Sequence, residues 1–243
     1  MSKIKISKSF IHNFLIPVAN VVDKATLTIK DGRISTVAAS KSTGIILSIS
    51  QDIDTDIDEM DIGIGNIKKF KIYLDTVTDL DNSDELIVNN NTIKYKSDKY
   101  RFTFHLLDSS ITGKAKISKD LITNWSVDNS FVVSHESIRE IIRIKAANKE
   151  ADKVYFKFVE DGVYADVTDY AITNMDTTGY KIADSFVGNP NATGCPVSFD
   201  IIKCLSYHKN TPFKFKYTNR GGFLIQSIID DTLISYVISE IKN

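Results

Sequence analysis

Cysteine and histidine, which supply many metal sites and catalytic nucleophiles, are scarce in this chain of 243 residues. Its two cysteines and four histidines are Cys195, Cys204, His12, His105, His135 and His208. The cysteines lack the second pair of a zinc site, no two histidines have metal-ligand spacing on one predicted helix, and no serine lies in a G-x-S-x-G turn. We therefore expect reduced thiols in an intracellular protein that has no cofactor and is not an enzyme.

Proline, glycine and long apolar runs are also rare. Four prolines and 11 glycines, together with 42% hydrophobic and 25% charged residues, argue against disorder and predict an ordinary globular core. The first residues, MSKIKISKSFIHNFLIP, contain neither a signal-peptide pattern nor a membrane span. A net charge of -1 argues against a nucleic-acid binder unless the charges are unevenly distributed.

Aspartate, in contrast, occurs at every second position of the stretch SQDIDTDIDE, from Ser50 to Glu59. A calcium loop beginning at Asp52 would need glycine at its sixth position and glutamate at its twelfth, where this chain has Ile57 and Gly63. The alternation with isoleucine and threonine instead predicts a strand with one face in water. The stretch GIGN that follows lacks the lysine and the serine or threonine of a phosphate-binding loop.

The order of predicted elements occurs twice along the chain. The Asp31-Gly32 and Asp161-Gly162 hairpin turns are separated by about 130 positions, which indicates a structural duplication. The second predicted helix begins at Asn66 in the first half and at Ser198 in the second half, and these two positions are nearly as far apart as the two hairpin turns. A polar connector lies between the halves. We therefore predict an α+β protein with an N-terminal domain at residues 1–110, a connector at 111–128 and a C-terminal domain at 129–243.

Positive charge is concentrated on the predicted helices. Segments 7–16, 66–78, 134–149 and 198–209 hold ten Lys or Arg against four Asp or Glu, whereas the rest of the chain has 20 against 27. Pro17 is predicted to end the first of these helices. Because residues three and four apart share a helix face, most of the cations lie opposite the apolar stripe. Such faces bind phosphates independently of sequence and in a salt-sensitive way. The alternative is that these cations only make exposed helices soluble.

Several stretches together resemble a known family. They are SFIHNF near the N terminus, ILSISQDIDTDID leading into NIKKFKIYLDTV, TIKYKSDKYRFTF, and IREIIRIK in the second half. Over essentially the whole chain they resemble the DNA sliding clamps, ring-shaped processivity factors of DNA polymerases, most closely those of phages and more distantly proliferating cell nuclear antigen. The resemblance implies the α+β DNA clamp fold, with two similar domains of paired β-α-β-β-β units. Basic helices would lie on the inner face and antiparallel sheets on an acidic exterior.

The resemblance also implies partners. A homotrimeric ring would enclose double-stranded DNA, tether DNA polymerase and be opened by an ATP-dependent clamp loader, without any membrane. If the protein is viral, it would act in the cytoplasm of the host cell. The strand YRFTFHLL and a strand near DVTDYAITNM would form the free edges that join the subunits. The alternative function is a duplicated β-rich scaffold, a non-enzymatic structural protein that does not bind DNA.

Two sets of site residues follow from the same resemblance. The residues expected to bind DNA are Lys8, His12, Lys68, Lys71, Arg139, Arg143 and Lys203. The groove for a partner peptide is expected to involve Val37, Ile117, Leu121 and Tyr236. No metal site is expected.

Overall fold

The computed structural model of the chain describes residues 2–40, 42–80, 85–112, 122, 124–190, 195–208, 210–219 and 221–239. The chain divides into two compact units, in agreement with a two-domain clamp fold. The first unit comprises Met1–Ser40, Ile46–Ile117 and Ile228–Ile234, and the second comprises Lys41–Ile45, Ser118–Ser227 and Ser235–Asn243. The domain limits at 110 and 129 stay a prediction, and most of the predicted connector lies outside the described residues.

The first unit is built mainly from antiparallel strands. Its strands are β1 (Ser2–Lys5), β2 (Ala25–Lys30), β3 (Arg33–Ala39), β4 (Ile45–Asp52), β5 (Glu59–Ile64), β6 (Glu85–Val88), β7 (Thr92–Lys96) and β8 (Arg101–His105). Its helices are α1 (Ile16–Val21), which continues from a π-helical turn at Phe10–Leu15, α2 (Ile67–Leu80) and α3 (Ser109–Thr112). The strands pair in the orders β1-β6-β7-β8 and β5-β2-β3-β4.

The second unit has a similar composition. Its strands are β9 (Asn129–Val133), β10 (Lys153–Val159), β11 (Gly162–Thr168), β12 (Thr178–Ala183), β13 (Cys195–Ser198), β14 (Phe213–Thr218), β15 (Gly222–Ile229) and β16 (Thr232–Ser239). Its helices are α4 (His135–Ala147) and α5 (Phe199–Ser206). The strands pair in the orders β12-β11-β10-β13 and β16-β15-β14-β9.

The first helix continues past the residue that was predicted to stop it. Helical structure starts at Lys8, passes through the π-helical turn and runs on as α1, so the prediction that Pro17 ends the helix is wrong. Pro17 lies in the first turn of α1, where its fixed φ suits the helix and its missing N–H is tolerated.

The aspartate-rich stretch is a loop over most of its length, not the predicted strand. Strand β4 ends at Asp52, and the residues up to Asp58 connect it to β5. The ends of this loop bond to the β2–β3 turn, through Ile53 N to Gly32 O at 2.9 Å and Asp31 N to Asp58 O at 3.3 Å. Its middle bonds to β1, where Lys5 N donates to Asp54 O at 2.9 Å. The chain must bend to reach both partners, although the aspartates remain exposed as the alternation predicted.

Both predicted hairpins form, but the second turn is shifted by one residue. The Asp31-Gly32 turn is confirmed, with φ values of 52° and 70°. In the second hairpin Val159 pairs with Gly162, so the turn residues are Glu160-Asp161. A Cβ atom on Gly162 would lie 2.3 Å from the carbonyl oxygen of Ala183 on β12. Glycine is therefore required there by a neighbouring strand as well as by its φ of 147°.

A similar close approach explains the glycines of GIGN. The Gly63 carbonyl accepts a hydrogen bond from Leu107 N at 2.9 Å, and a Cβ atom on Gly63 would lie 2.1 Å from the Leu107 carbonyl oxygen. A Cβ atom on Gly65 would lie 2.7 Å from the Leu107 side chain. These glycines therefore admit a neighbouring segment of backbone, and no phosphate is needed to account for them.

Two strands form ends of their sheets. The predicted edge strand YRFTFHLL contains β8, the last strand in the order β1-β6-β7-β8. The stretch DVTDYAITNM contains the end of β11 and a segment without strand structure, and the edge strand β12 begins only at Thr178. The predicted edge of the second unit therefore lies a few residues further along the chain.

Candidate nucleic-acid interface

Each helix of the candidate interface buries an apolar stripe and leaves its cations outside. Helix α2 buries Ile67, Phe70, Leu74 and Val77, and α4 buries Ile138 and Ile141. Because the polar residues occupy the other positions of the 3.6-residue period, burial of the stripe turns them to solvent. Of the seven residues predicted to bind DNA, six are exposed and Lys71 is half-buried.

On α2, both predicted cations are paired with aspartates. Lys68 Nζ lies 3.1 Å from Asp23 Oδ1, and Lys71 Nζ lies 2.5 Å from Asp75 Oδ2. Exposed ion pairs contribute little to stability, because water competes for both charges. A phosphate oxygen could therefore replace Asp23 beside Lys68 without a large loss of folding free energy, whereas the Lys71–Asp75 pair is only partly exposed.

On α4, the two predicted arginines are four residues apart and share one exposed face. Ser134 caps the helix, its Oγ accepting a hydrogen bond from Ser137 N at 3.0 Å. Arg143 Nη1 lies 2.9 Å from Glu140 Oε1, whereas Arg139 makes no ion pair with any residue that the structure describes. Of the four cations predicted on α2 and α4, Arg139 is therefore the one without a carboxylate partner among the described residues.

On α5, Lys203 is held by its own helix. Ser198 caps the helix by accepting a hydrogen bond from Asp200 N at 3.2 Å. Lys203 Nζ lies 2.8 Å from Asp200 Oδ1 and 5.8 Å from the centroid of the Phe199 ring. The hydrogen bond to Asp200 is the main cause of a raised pKa at Lys203, so this side chain stays charged at neutral pH.

The first helix presents Lys8 and His12 to solvent and buries Phe10, Ile11 and Phe14. The π-helical turn widens the ladder of backbone hydrogen bonds at this point. Sequence periodicity assumes 3.6 residues per turn, so the relative direction of the two polar side chains could not be read from the sequence.

Two further lysines lie on the same helices but were not in the predicted set. Lys69 is exposed on α2, with Nζ 5.9 Å from the centroid of the Tyr73 ring. Lys145 is half-buried on α4, with Nζ 5.7 Å from the Phe199 ring centroid and 3.7 Å from Asp152 Oδ1. Lys69 was detectable as a third cation in the same turn as Lys68 and Lys71, whereas the contacts of Lys145 depend on tertiary structure.

The residues predicted to form a partner groove have different environments. Val37 is half-buried on β3, opposite Ser48 of β4. Ile117 and Leu121 lie outside the described residues. Tyr236 is fully buried on β16, so a peptide could not contact its side chain without a rearrangement. Among these four residues, Val37 is the one whose described side chain is accessible.

Tyr236 instead belongs to a buried polar pair. Its hydroxyl lies 2.7 Å from Nε2 of His208, which is itself 2% exposed. Burial, with a smaller contribution from nearby His135, lowers the pKa of His208 to about 4, so the imidazole is neutral at pH 7. Burial also raises the pKa of Tyr236, which keeps the phenol protonated. This pair lies in the interior of the second unit.

Structures of known proteins match the whole chain. The PCNA of A. fulgidus, in a complex with the C-terminal region of FEN-1, has a TM-score of 0.78 and 13% identity, with 100% of this chain and 99% of that chain covered. The PCNA of Entamoeba histolytica has a TM-score of 0.76 and 11% identity, with 99% and 98% covered. The PCNA2-PCNA3 complex of Sulfolobus tokodaii has a TM-score of 0.72 and 12% identity, with 99% of both chains covered.

The chain has the DNA sliding-clamp fold. Each match covers nearly the full length of this chain and of the known chain, so both units take part in it, in the same order. The predicted α+β clamp fold is therefore confirmed. No family model and no curated protein sequence matches the chain. Its clamp fold thus persists at identities of 11–13% to these solved clamp structures.

Two further features concern the described part of the clamp fold. No group of three or more His, Cys, Asp or Glu side chains there is arranged to hold a metal ion. No helix there is both long and apolar enough to cross a membrane.

Proposed function

We propose that this protein is a sliding clamp that encircles duplex DNA as a homotrimeric ring and tethers the replicative DNA polymerase. The observation that carries the proposal is the match of the whole chain to solved PCNA structures. The chain's own residues support it, because the cations of α2, α4 and α5 are turned to solvent by burial of the apolar stripes. Such a protein acts by topology and position, and it needs no catalytic group.

In this proposal the helix cations contact DNA phosphates. The contacting residues are Lys8, His12, Lys68, Lys71, Arg139, Arg143 and Lys203, to which the structure adds Lys69 as an exposed neighbour. Phosphate contacts carry no base information, so binding would be independent of DNA sequence and would weaken as salt rises. This behaviour suits a clamp, which must pass over every sequence.

The remaining partners also belong to the proposal. The strands β8 and β12 would join neighbouring copies, because each lies at the end of a sheet and a closed ring would cover such edges. DNA polymerase would insert a short peptide near Val37 and the connector, and an ATP-dependent clamp loader would open the ring. Several sequence stretches resemble phage clamps, and we propose a viral protein that acts in the host cell.

The mass of the protein in solution tests the ring. Size-exclusion chromatography with light scattering should give a mass about three times the 27.2 kDa of one chain. A strict monomer at micromolar concentration would contradict the ring and favour the alternative of a duplicated β-rich scaffold.

The salt dependence of DNA binding tests the helix cations. Replacement of Lys68, Lys71, Arg139 and Arg143 by alanine should weaken duplex binding and reduce the log-log salt slope by roughly one unit per lost phosphate contact. Among the single variants Arg139→Ala should have the largest effect, because Arg139 has no described carboxylate partner. The control is Lys214→Ala, which removes an exposed lysine of β14. An unchanged slope in the fourfold variant would refute the assignment.

A further inference from the structure

One face of the sheet β1-β6-β7-β8 is basic, contrary to the prediction that the strands carry the negative charge. These four strands contain a single acidic residue, Glu85, and five cations, which are Lys3, Lys5, Lys94, Lys96 and Arg101. All five cations are exposed, whereas the alternate residues Tyr95, Phe102 and Phe104 are buried. The strand period of two therefore places the aromatic side chains in the core and the cations in solvent.

The cations of β7 and β8 have no anionic partner among the residues that the structure describes. Lys3 Nζ lies 2.8 Å from Glu85 Oε1, and Lys5 Nζ lies 2.7 Å from Asp54 Oδ2. In contrast, Lys94, Lys96 and Arg101 make no ion pair with any residue of the described chain.

Their arrangement on the sheet is also unfavourable in the isolated protein. Lys96 lies directly opposite Arg101 in the register of β7 and β8, and Lys94 lies opposite Thr103. Like charges in directly opposed positions of neighbouring strands destabilise a sheet. The carboxylate of Asp98 in the adjoining turn forms no ion pair with these cations. Binding of an external anion would relieve the repulsion.

Among its described residues, the four-stranded sheet β12-β11-β10-β13 does not have cations without ion pairs of this kind. Every lysine on its strands β10 to β13 is paired with an aspartate. The pairs are Lys153–Asp169 at 3.1 Å, Lys157–Asp166 at 2.5 Å, and Lys181–Asp184 at 3.4 Å. The lysines of the sheet β12-β11-β10-β13 are therefore neutralised, whereas three cations of the sheet β1-β6-β7-β8 have no carboxylate partner among the described residues.

We propose that Lys94, Lys96 and Arg101, here called the basic sheet face, bind an acidic segment of a partner protein in an extended conformation. Alternate residues of a strand are separated by about 6.7 Å and project to the same side. An extended peptide with a carboxylate at every second position has the same period as Lys94 and Lys96. Its carboxylates would accept charge-assisted hydrogen bonds from the ammonium and guanidinium groups.

The structure favours an acidic peptide over single-stranded nucleic acid. Surfaces that bind single strands combine cations with aromatic side chains on which the bases stack. The aromatic residues Tyr95, Phe102 and Phe104 of β7 and β8 are buried on the opposite side of the sheet. The basic sheet face thus offers charge without a stacking platform.

A second copy of the chain is a poorer occupant. In the chain's own acidic stretch two of the four aspartates already have cationic partners, since Asp54 bonds to Lys5 at 2.7 Å and Asp52 to Arg33 at 3.2 Å. Edge pairing of β8 in a ring would use the backbone of that strand. The outward face of β7, one strand further in, would stay open.

Fluorescence anisotropy with a defined peptide tests the proposal. The probe is a labelled peptide of roughly ten residues that alternates Asp and Ser, and the control peptide has Asn in place of each Asp. The wild-type protein should bind the acidic peptide, with affinity falling as NaCl rises. The triple variant Lys94→Gln, Lys96→Gln, Arg101→Gln should bind about tenfold more weakly. The single variant Lys94→Gln should weaken binding more than the matched control Lys214→Gln on β14.

Three results would overturn the proposal. In the first, the triple variant binds the acidic peptide as tightly as the wild type does. In the second, the wild type binds the Asn peptide as tightly as the acidic peptide. In the third, the wild type does not bind the acidic peptide but binds an oligo-dT strand, and the triple variant loses that binding. The last result would assign the face to nucleic acid. The mass of the triple variant, measured by light scattering, separates this proposal from the ring, because an unchanged mass with lost peptide binding supports the basic sheet face alone.

Discussion

Protonation of His208 should weaken the second unit as the pH falls. His208 is 2% exposed, its Nε2 lies 2.7 Å from the Tyr236 hydroxyl, and its Nδ1 has no hydrogen-bond partner among the described residues. The ring of Phe213 packs edge-on against it, with the centroids 5.5 Å apart. A charge at this position would have an apolar contact and a nearby imidazole, His135, but no described counterion.

The size and sign follow from the two pKa values of His208, about 4 in the folded protein and 6.5 for a histidine in the unfolded chain. Between these values the unfolded chain binds a proton that the folded protein excludes. Stability therefore falls as the pH drops through this window and is fully present above pH 6.5. At about 1.4 kcal/mol per pKa unit, the loss from pH 7.5 to pH 4.5 is about 2.5 kcal/mol.

Urea unfolding at several pH values, with protein concentration and salt held fixed, measures this loss. His208→Gln should be less stable than the wild type at pH 7.5, and the difference should shrink by about 2.5 kcal/mol at pH 4.5. The control His105→Gln removes an exposed histidine of β8 in place of the buried one. Parallel pH profiles for the wild type and His208→Gln would refute the reasoning, because other groups titrate in both proteins.

Two further outcomes follow from the packing. Gly63→Ala should lower the free energy of unfolding by about 2 kcal/mol, because the new Cβ would lie 2.1 Å from the Leu107 carbonyl oxygen. The control Gly32→Ala meets no atom within 4 Å and tests backbone strain alone, so an equal or larger loss there in denaturant titrations would contradict the steric argument. Cys204 is buried with its pKa raised to about 12, mainly by burial, and should resist iodoacetamide at pH 8 until urea unfolds the protein. Rapid labelling of the native Cys204 peptide, detected by mass spectrometry, would count against this.

Features determined by local chemistry were predictable from the sequence. The Asp31-Gly32 turn needs two residues with positive φ, and this dipeptide supplies them. Ser134 and Ser198 cap α4 and α5 because a short hydroxyl side chain reaches the free N–H groups of the first turn. The apolar stripe of α2 indicated which of its faces would be buried.

Features that depend on distant contacts were not predictable. The acidic loop bends because it bonds to both the β2–β3 turn and β1, and alternation of residue types cannot distinguish this from a strand. Pro17 lies in the first turn of α1, directly after a π-helical turn that sequence periodicity does not represent. Lys68 is paired with Asp23, 45 positions away, so the sequence indicated a cation on this face but not its counterion.

The ion pairs of the helix cations bear on how a clamp would move. Lys68 and Lys203 each lie beside an aspartate of the same unit, at 3.1 and 2.8 Å. When a phosphate leaves such a lysine, the aspartate can take its place, so each step along the duplex would exchange one ion pair for a similar one. We expect this exchange to lower the energy barrier between successive positions. An aspartate next to a DNA-binding lysine would thus ease movement along the duplex and weaken the binding of the clamp to DNA.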